Sequence, residues 1–222
     1  MPKSVIIAKN NMKSPNNIFI VVIIIAVLIV GGVMFAVGRN SSASSLQSNT
    51  PVIELADMNS LLNKLAPDFT LADKNGNAIK LSDLRGKTVV LFFNEGLMCY
   101  PACWNQMAQL SSDPRLNMET IESYSVVVDS VKNWGPAIKQ MPELAKAAVL
   151  YDTDSTVSKM YGMLKGTSSM HYGIYPGHTY IIIDPSGIVR FVLDDPRMAI
   201  NNDKLAEEIQ NWQTSSTTSS VK

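Results

Sequence analysis

The stretch Thr88-Val-Val-Leu-Phe-Phe93, continued by Asn94-Glu-Gly-Leu-Met-Cys99-Tyr-Pro-Ala-Cys103-Trp104, decides the fold. Its first six residues are rich in β-branched and aromatic side chains, with no charge. That pattern predicts a strand buried on both faces, as in the middle of an α/β sheet. A helix is expected over about Cys99–Leu110. The chain's two cysteines therefore sit where a buried strand hands over to a helix. Backbone N–H groups and the helix dipole at such a start favour an anion. A thiolate placed there has a lowered pKa and becomes the reactive form. Pro101 suits the first helical turn, where its missing N–H costs little.

Similar patterns extend in both directions. Towards the C-terminus, Tyr124–Val128 and Val149–Tyr151 read as strands. Between them Asn133–Ala148 is expected to be mostly helical, with Pro136 and Pro142 near helix starts or bends. Ser155–Met163 reads as a helix. Thr179–Ile183 and Ile188–Leu193 flank Asp184-Pro-Ser-Gly187, a hairpin signal, and Asn201–Trp212 reads as a closing helix. Towards the N-terminus, Phe69–Leu71 and Ala78–Leu81 flank a second hairpin signal, Asp73-Lys-Asn-Gly76. Val52–Leu65 has helical spacing, and Ser82–Gly86 reads as a helical turn. Strands alternating with helices predict an α/β sandwich.

The 222 residues carry 19 basic and 19 acidic side chains, with 46% of the chain apolar. The chain is too apolar to be mainly disordered. It lacks the basic excess that holds a nucleic-acid backbone, so no nucleic-acid partner is expected. Two cysteines make neither a disulfide framework nor a four-cysteine zinc site.

Part of the apolar content lies in one place. Ile18–Val37 is uncharged, and only Gly31 and Gly32 interrupt its apolar run. As a helix it would span about 30 Å, the hydrocarbon thickness of a bilayer. It exceeds the apolar region of a signal peptide. The expectation is an uncleaved transmembrane anchor over 18–37. Lys3, Lys9 and Lys13 precede it and only Arg39 follows closely. The positive-inside rule then places residues 1–17 in the cytoplasm and everything after the anchor outside. Residues 38–50 are Ser-rich and read as a linker, 51–213 as the folded domain, and 214–222 as a disordered tail.

The ordered set Ala66-Pro-Asp-Phe-Thr-Leu71, Leu81–Phe93, the cysteines after that strand, Val126–Ser130, Ala148–Met163 and His178–Phe191 resembles the AhpC/TSA redoxin family. The resemblance implies a thioredoxin-like sandwich with a central mixed β-sheet and thiol-based oxidoreductase chemistry, either thiol–disulfide exchange or peroxiredoxin-like peroxide reduction. Placement at the strand-to-helix junction makes Cys99 and Cys103 the expected catalytic residues, Cys99 as the nucleophile and Cys103 resolving it. A redox partner protein or thiol donor follows, and no cofactor. The peroxiredoxin motif Pro-x-x-x-Thr-x-x-Cys is not spelled out. Counting back from Cys99 meets Gly96 and Phe92; counting back from Cys103 meets Tyr100 and Gly96. Peroxiredoxins also carry an arginine just before the strand that ends in Ile-Asp, where this chain has Pro176-Gly-His178. Pro176 is expected near the cis-proline of thioredoxin-like folds.

The Cys-x-x-x-Cys spacing keeps a second resemblance open. On a helix, residues i and i+4 hold their Cβ atoms about 5–6 Å apart. A disulfide wants about 3.5–4.5 Å. A Cys99–Cys103 bond should therefore distort the first helical turn and be readily reduced. Two sulfurs on one helix face equally suit a soft metal ion. With His178 ahead of a Thr-x-x-x-x-Asp-Pro-x-Gly strand, the chain is similar to the Sco family of membrane-anchored thioredoxin-fold copper carriers. That resemblance implies, as the alternative, Cu(I) held by Cys99, Cys103 and His178. Met98, Met107, Met160, Met163 and Met170 are expected mostly in the core. Glu95 is expected as a solvated loop carboxylate and Trp104 as packing beside the site.

Overall fold

A computed structural model of the chain describes residues 57–219. The expected anchor at 18–37, its cytoplasmic flank and the linker lie outside these residues. Among the described residues, no helix is long and apolar enough to cross a membrane.

Seven strands form one sheet in the order β2-β1-β5-β4-β3-β6-β7. They are β1 (Thr70–Asp73), β2 (Ala78–Lys80), β3 (Thr88–Phe93), β4 (Ile121–Val127), β5 (Val149–Tyr151), β6 (Thr179–Ile183) and β7 (Val189–Asp194). The sheet is mixed. β3 runs parallel to β4 and antiparallel to β6, with Phe92 opposite Tyr180 and Phe93 opposite Thr179. All six residues of β3 are buried, as its unbroken apolar run predicts. Both hairpin turns are held by a leading aspartate. Asp73 Oδ1 accepts the N–H groups of Asn75 and Asn77, and Asp184 Oδ1 accepts those of Ser186 and Ile188.

Side chains alternate across the pleat, so β3 feeds two cores. Val90 and Phe92 face one layer together with Tyr180 and Ile182 of β6. Three helices contribute to this layer: α1 (Ala102–Ser112), α2 (Gly135–Gln140) and α4 (Asn202–Ser219). Val89, Leu91 and Phe93 face the other layer with Ile181, Ile183 and Tyr161. That second layer also receives α3 (Thr156–Met160) through Val157.

Several elements differ from the sequence reading. The 133–148 segment is not one helix. It breaks into a 3-10 turn at Val131–Asn133, α2, and a second 3-10 turn at Pro142–Lys146. Pro142 lacks an N–H and clashes with the preceding turn, so α2 ends before it. The helix expected over Val52–Leu65 is, in its described part, only a 3-10 turn at Met58–Leu61. The C-terminal helix runs on to Ser219, into the segment expected to be a disordered tail. At its entry Thr214 Oγ1 bonds back to the carbonyls of Gln210 and Asn211.

Candidate active site

The site grows from the end of β3. Asn94 is buried and turns the chain: its Oδ1 accepts the Gly96 N–H while its Nδ2 donates to the Phe92 carbonyl. Glu95 follows, and it is 1% exposed rather than solvated. Its Oε1 accepts from Ser169 Oγ, Met170 N–H and His171 N–H. Its Oε2 lies 3.1 Å from His171 Nδ1. Glu95 thus fastens the loop before β6 to the tip of β3. Asp194 fastens the two residues just before these by accepting from Thr167 and Ser168.

Gly96 has a φ of +56°, the left-handed region that L side chains rarely adopt. A Cβ there would collide with Asp129 Oδ2 and lie 3.1 Å from Asp129 Cγ. The same carboxylate accepts the Leu97 N–H at 3.0 Å. Burial pushes the Asp129 carboxyl above its usual range, against the lowering effect of that bond. Trp104 Nε1 donates to the Gly96 carbonyl, so the indole packs beside the site as expected. Tyr100 meets the Trp104 ring edge-on at 4.8 Å.

Cys99 and Cys103 are joined in a disulfide, with Cα atoms 5.3 Å apart. Cys99 is not on the helix. It ends a 3-10 turn, Gly96–Met98, and α1 begins only at Ala102. Helical geometry is thus lost at Cys99, in the turn where the sequence reading expected distortion. The Cys103 N–H still bonds to the Cys99 carbonyl at 3.0 Å. Among the described residues the cis peptide bond precedes Pro101, not Pro176 as expected.

Both cysteines are buried, at 2% and 0% exposure, but their settings differ. Cys99 lies between Met98 and Tyr100, which are exposed, and its sulfur is 4.0 Å from Met198 Sδ. Cys103 points inward, with His178 Nδ1 at 3.5 Å. The ligand atoms of Cys99, Cys103 and His178 all lie within 4.8 Å of one another. The other histidine, His171, belongs to the Glu95 contact instead. Of the methionines, Met107 and Met163 are core as expected, whereas Met98 and Met170 are exposed.

Residues that the sequence reading missed complete the surroundings. His178 Nε2 lies 3.1 Å from the Ala199 carbonyl and 2.8 Å from Tyr180 OH. Asn201 Nδ2 donates to Ala199 O and to Asp195 Oδ2, both at 2.9 Å. Burial works against the Asp195 charge, but bonds from Asn201, Arg197 and Ala199 outweigh it and hold the carboxyl below its usual range. No motif marks this 195–202 segment. Asp129 does stand within the Val126–Ser130 stretch that carried the family resemblance, and only its role was unread.

Comparison with known proteins agrees with this geometry. The AhpC/TSA family matches residues 62–192, more than half of the chain. Peroxiredoxin Bcp of Escherichia coli (strain K12) is 28% identical over 153 residues, covering 67% of this chain and 92% of that relative. Among solved structures, the mitochondrial 2-Cys peroxiredoxin of Plasmodium falciparum superposes with a TM-score of 0.60 at 22% identity, covering 72% of this chain and 98% of its own. Enterococcus faecalis AhpC gives 0.60 at 18%, covering 71% and 95%. These likenesses favour thiol redox chemistry over the Sco-like copper reading, and the fold is the thioredoxin-like sandwich with a mixed sheet. A buried cysteine pair at the strand-to-helix junction of that fold, with relatives of this kind, makes the chain a member of the AhpC/TSA family and a peroxiredoxin-like, thiol-dependent oxidoreductase.

Proposed function

We propose that the protein is a membrane-anchored, extracytoplasmic oxidoreductase that cycles Cys99 and Cys103 between dithiol and disulfide by thiol–disulfide exchange. The observation that carries this reading is the Cys99–Cys103 bond at the end of β3. Cys99, flanked by exposed residues, meets the external sulfur. Cys103 then attacks Cys99 and releases the first partner as a thiol. A thiol donor, small or protein-borne, restores the dithiol. The anchor and location rest on Ile18–Val37 and its basic flank.

Peroxide reduction is a second reading, favoured because the matched relatives are peroxiredoxins. Cys99 would pass through a sulfenic acid, with water leaving as Cys103 closes the disulfide. One experiment separates the two. The full chain, reduced in detergent, is mixed with glutathione disulfide or with hydrogen peroxide, and disulfide formation is followed by thiol trapping. Faster closure with the disulfide supports exchange; faster closure with peroxide supports the second reading. A protein that closes with neither, yet retains one Cu(I) per chain through gel filtration, would overturn both.

A further inference from the structure

We propose that His178 is a catalytic residue for the second half of this reaction, accepting the Cys103 proton at Nδ1 as Cys103 Sγ attacks the Cys99 sulfur. The inference rests on the dithiol reading above and assigns a residue that reading does not use.

The argument starts with the tautomer. The Ala199 carbonyl only accepts, so a ring nitrogen 3.1 Å from it carries the hydrogen. We assign the hydrogen to Nε2, with Tyr180 OH donating to the same carbonyl at 3.4 Å. Tyr180 OH, 2.8 Å from Nε2, shares the same side, and burial keeps its phenol protonated. Asn201 braces this end by donating to the same carbonyl and to Asp195. With Nε2 protonated, Nδ1 holds its lone pair, and that lone pair faces Cys103 Sγ at 3.5 Å. Phe92 meets the ring edge-on at a centroid distance of 4.6 Å.

Position decides which sulfur is served. Cys103 is fully buried, while Cys99 adjoins exposed Met98 and Tyr100. The inward thiol is shut off from bulk solvent. A free thiol titrates near 8.5, so only a few per cent is thiolate at neutral pH. A base on the inner sulfur is what the closing step needs. Burial disfavours the charged imidazolium at His178, against the raising effects of the Ala199 bond and of Asp195 and Asp194.

The step balances as follows. The starting species carries Cys99 bonded to an external sulfur R, with Cys103 as S–H. The Cys103 proton moves to Nδ1, and the Cys103–Cys99 S–S bond forms. The Cys99–SR bond breaks with its electron pair leaving on RS⁻, which takes the proton back as RSH. Cys103 is oxidised and the RS group is reduced.

The test uses 5,5′-dithiobis(2-nitrobenzoate) on the reduced full chain in detergent. Attack by Cys99 releases one coloured thiolate, and closure by Cys103 releases a second, so the two phases are read separately. General-base catalysis contributes on the order of 10²-fold or more. His178→Gln should slow the second phase about 100-fold more than the first. Its second-phase rate should then rise tenfold per pH unit as Cys103 ionises unaided, narrowing the gap to wild type. An undiminished second phase, or equal slowing of both, would overturn the assignment. Ring-nitrogen NMR of the reduced wild-type protein guards against a misfolded variant: a protonated Nδ1 would equally overturn it. A wild-type chain that releases no second equivalent would instead refute the dithiol reading itself.

Discussion

Gly96→Ala probes the junction that sets the cysteines in place. Gly96 sits at φ +56°, and an L residue held there costs about 1–2 kcal/mol. The added Cβ would also occupy the space of Asp129 Oδ2 and lie 3.3 Å from Val127 Cβ. Asp129 must retreat, and the Leu97 N–H loses its acceptor, a bond to a carboxylate of about 1.5–3 kcal/mol. The two costs together come to roughly 2.5–5 kcal/mol, a large part of the stability of an ordinary domain, about 5–15 kcal/mol. The assay is chemical denaturation followed by tryptophan fluorescence, on Gly96→Ala, Asp129→Ala and the double variant. Only the backbone cost should survive once Asp129 is truncated, so the cycle should show a coupling of about 1.5–3 kcal/mol. A single-variant loss below about 1 kcal/mol, or additive behaviour, would refute the claim that these two residues share one space.

Four further outcomes follow from the same structure. Asp129→Asn should stabilise the protein at neutral pH. A carboxyl raised by burial gives stability that is present below its unfolded pKa and lost as pH rises through the folded value, so the gain should shrink on acidification, as measured by Tm across pH 3–8. Glu95→Ala should release the loop before β6. The Met170 N–H loses its acceptor, at about 1–3 kcal/mol, while the His171 N–H keeps only Ser169 Oγ, and protease cleavage near exposed Tyr172 and Ile174 should accelerate. Cys103→Ser should trap a stable mixed disulfide on Cys99, whereas Cys99→Ser should trap little on fully buried Cys103; equal trapping in mass spectra would contradict the assigned order. A C-terminal tag should be accessible to added protease on intact cells, and full protection would contradict the proposed orientation.

Much of the fold was legible because its signals are local. The run Thr88–Phe93 announces a doubly covered strand without reference to anything else, and the two aspartate-led turns announce hairpins in four residues each. The cysteine pair was legible by position. What escaped depends on distant chain. Glu95 reads as a loop carboxylate until Ser169, Met170 and His171, more than 70 positions on, arrive to occupy it. Cys99 reads as helical because its neighbours are, yet the turn that Asn94 and Asp129 impose holds it outside α1. The Ala199–Asn201 brace has no motif, since its contribution is a carbonyl and an amide brought in by the path of the chain.

The pairing of β3 with β6 carries a consequence for how variants of this protein would be misread. The cysteine loop leaves β3 at Phe93, and Phe93 lies opposite Thr179, the neighbour of His178. The cysteine loop and His178 therefore branch off beside the same rung of the ladder. A slip of a single rung would turn His178 to the opposite side of the sheet, away from the sulfurs. Ile181 and Ile183, packed in the far layer, help hold that registration without approaching the thiols. Changes to such residues would look, in a turnover assay, like damage to chemistry.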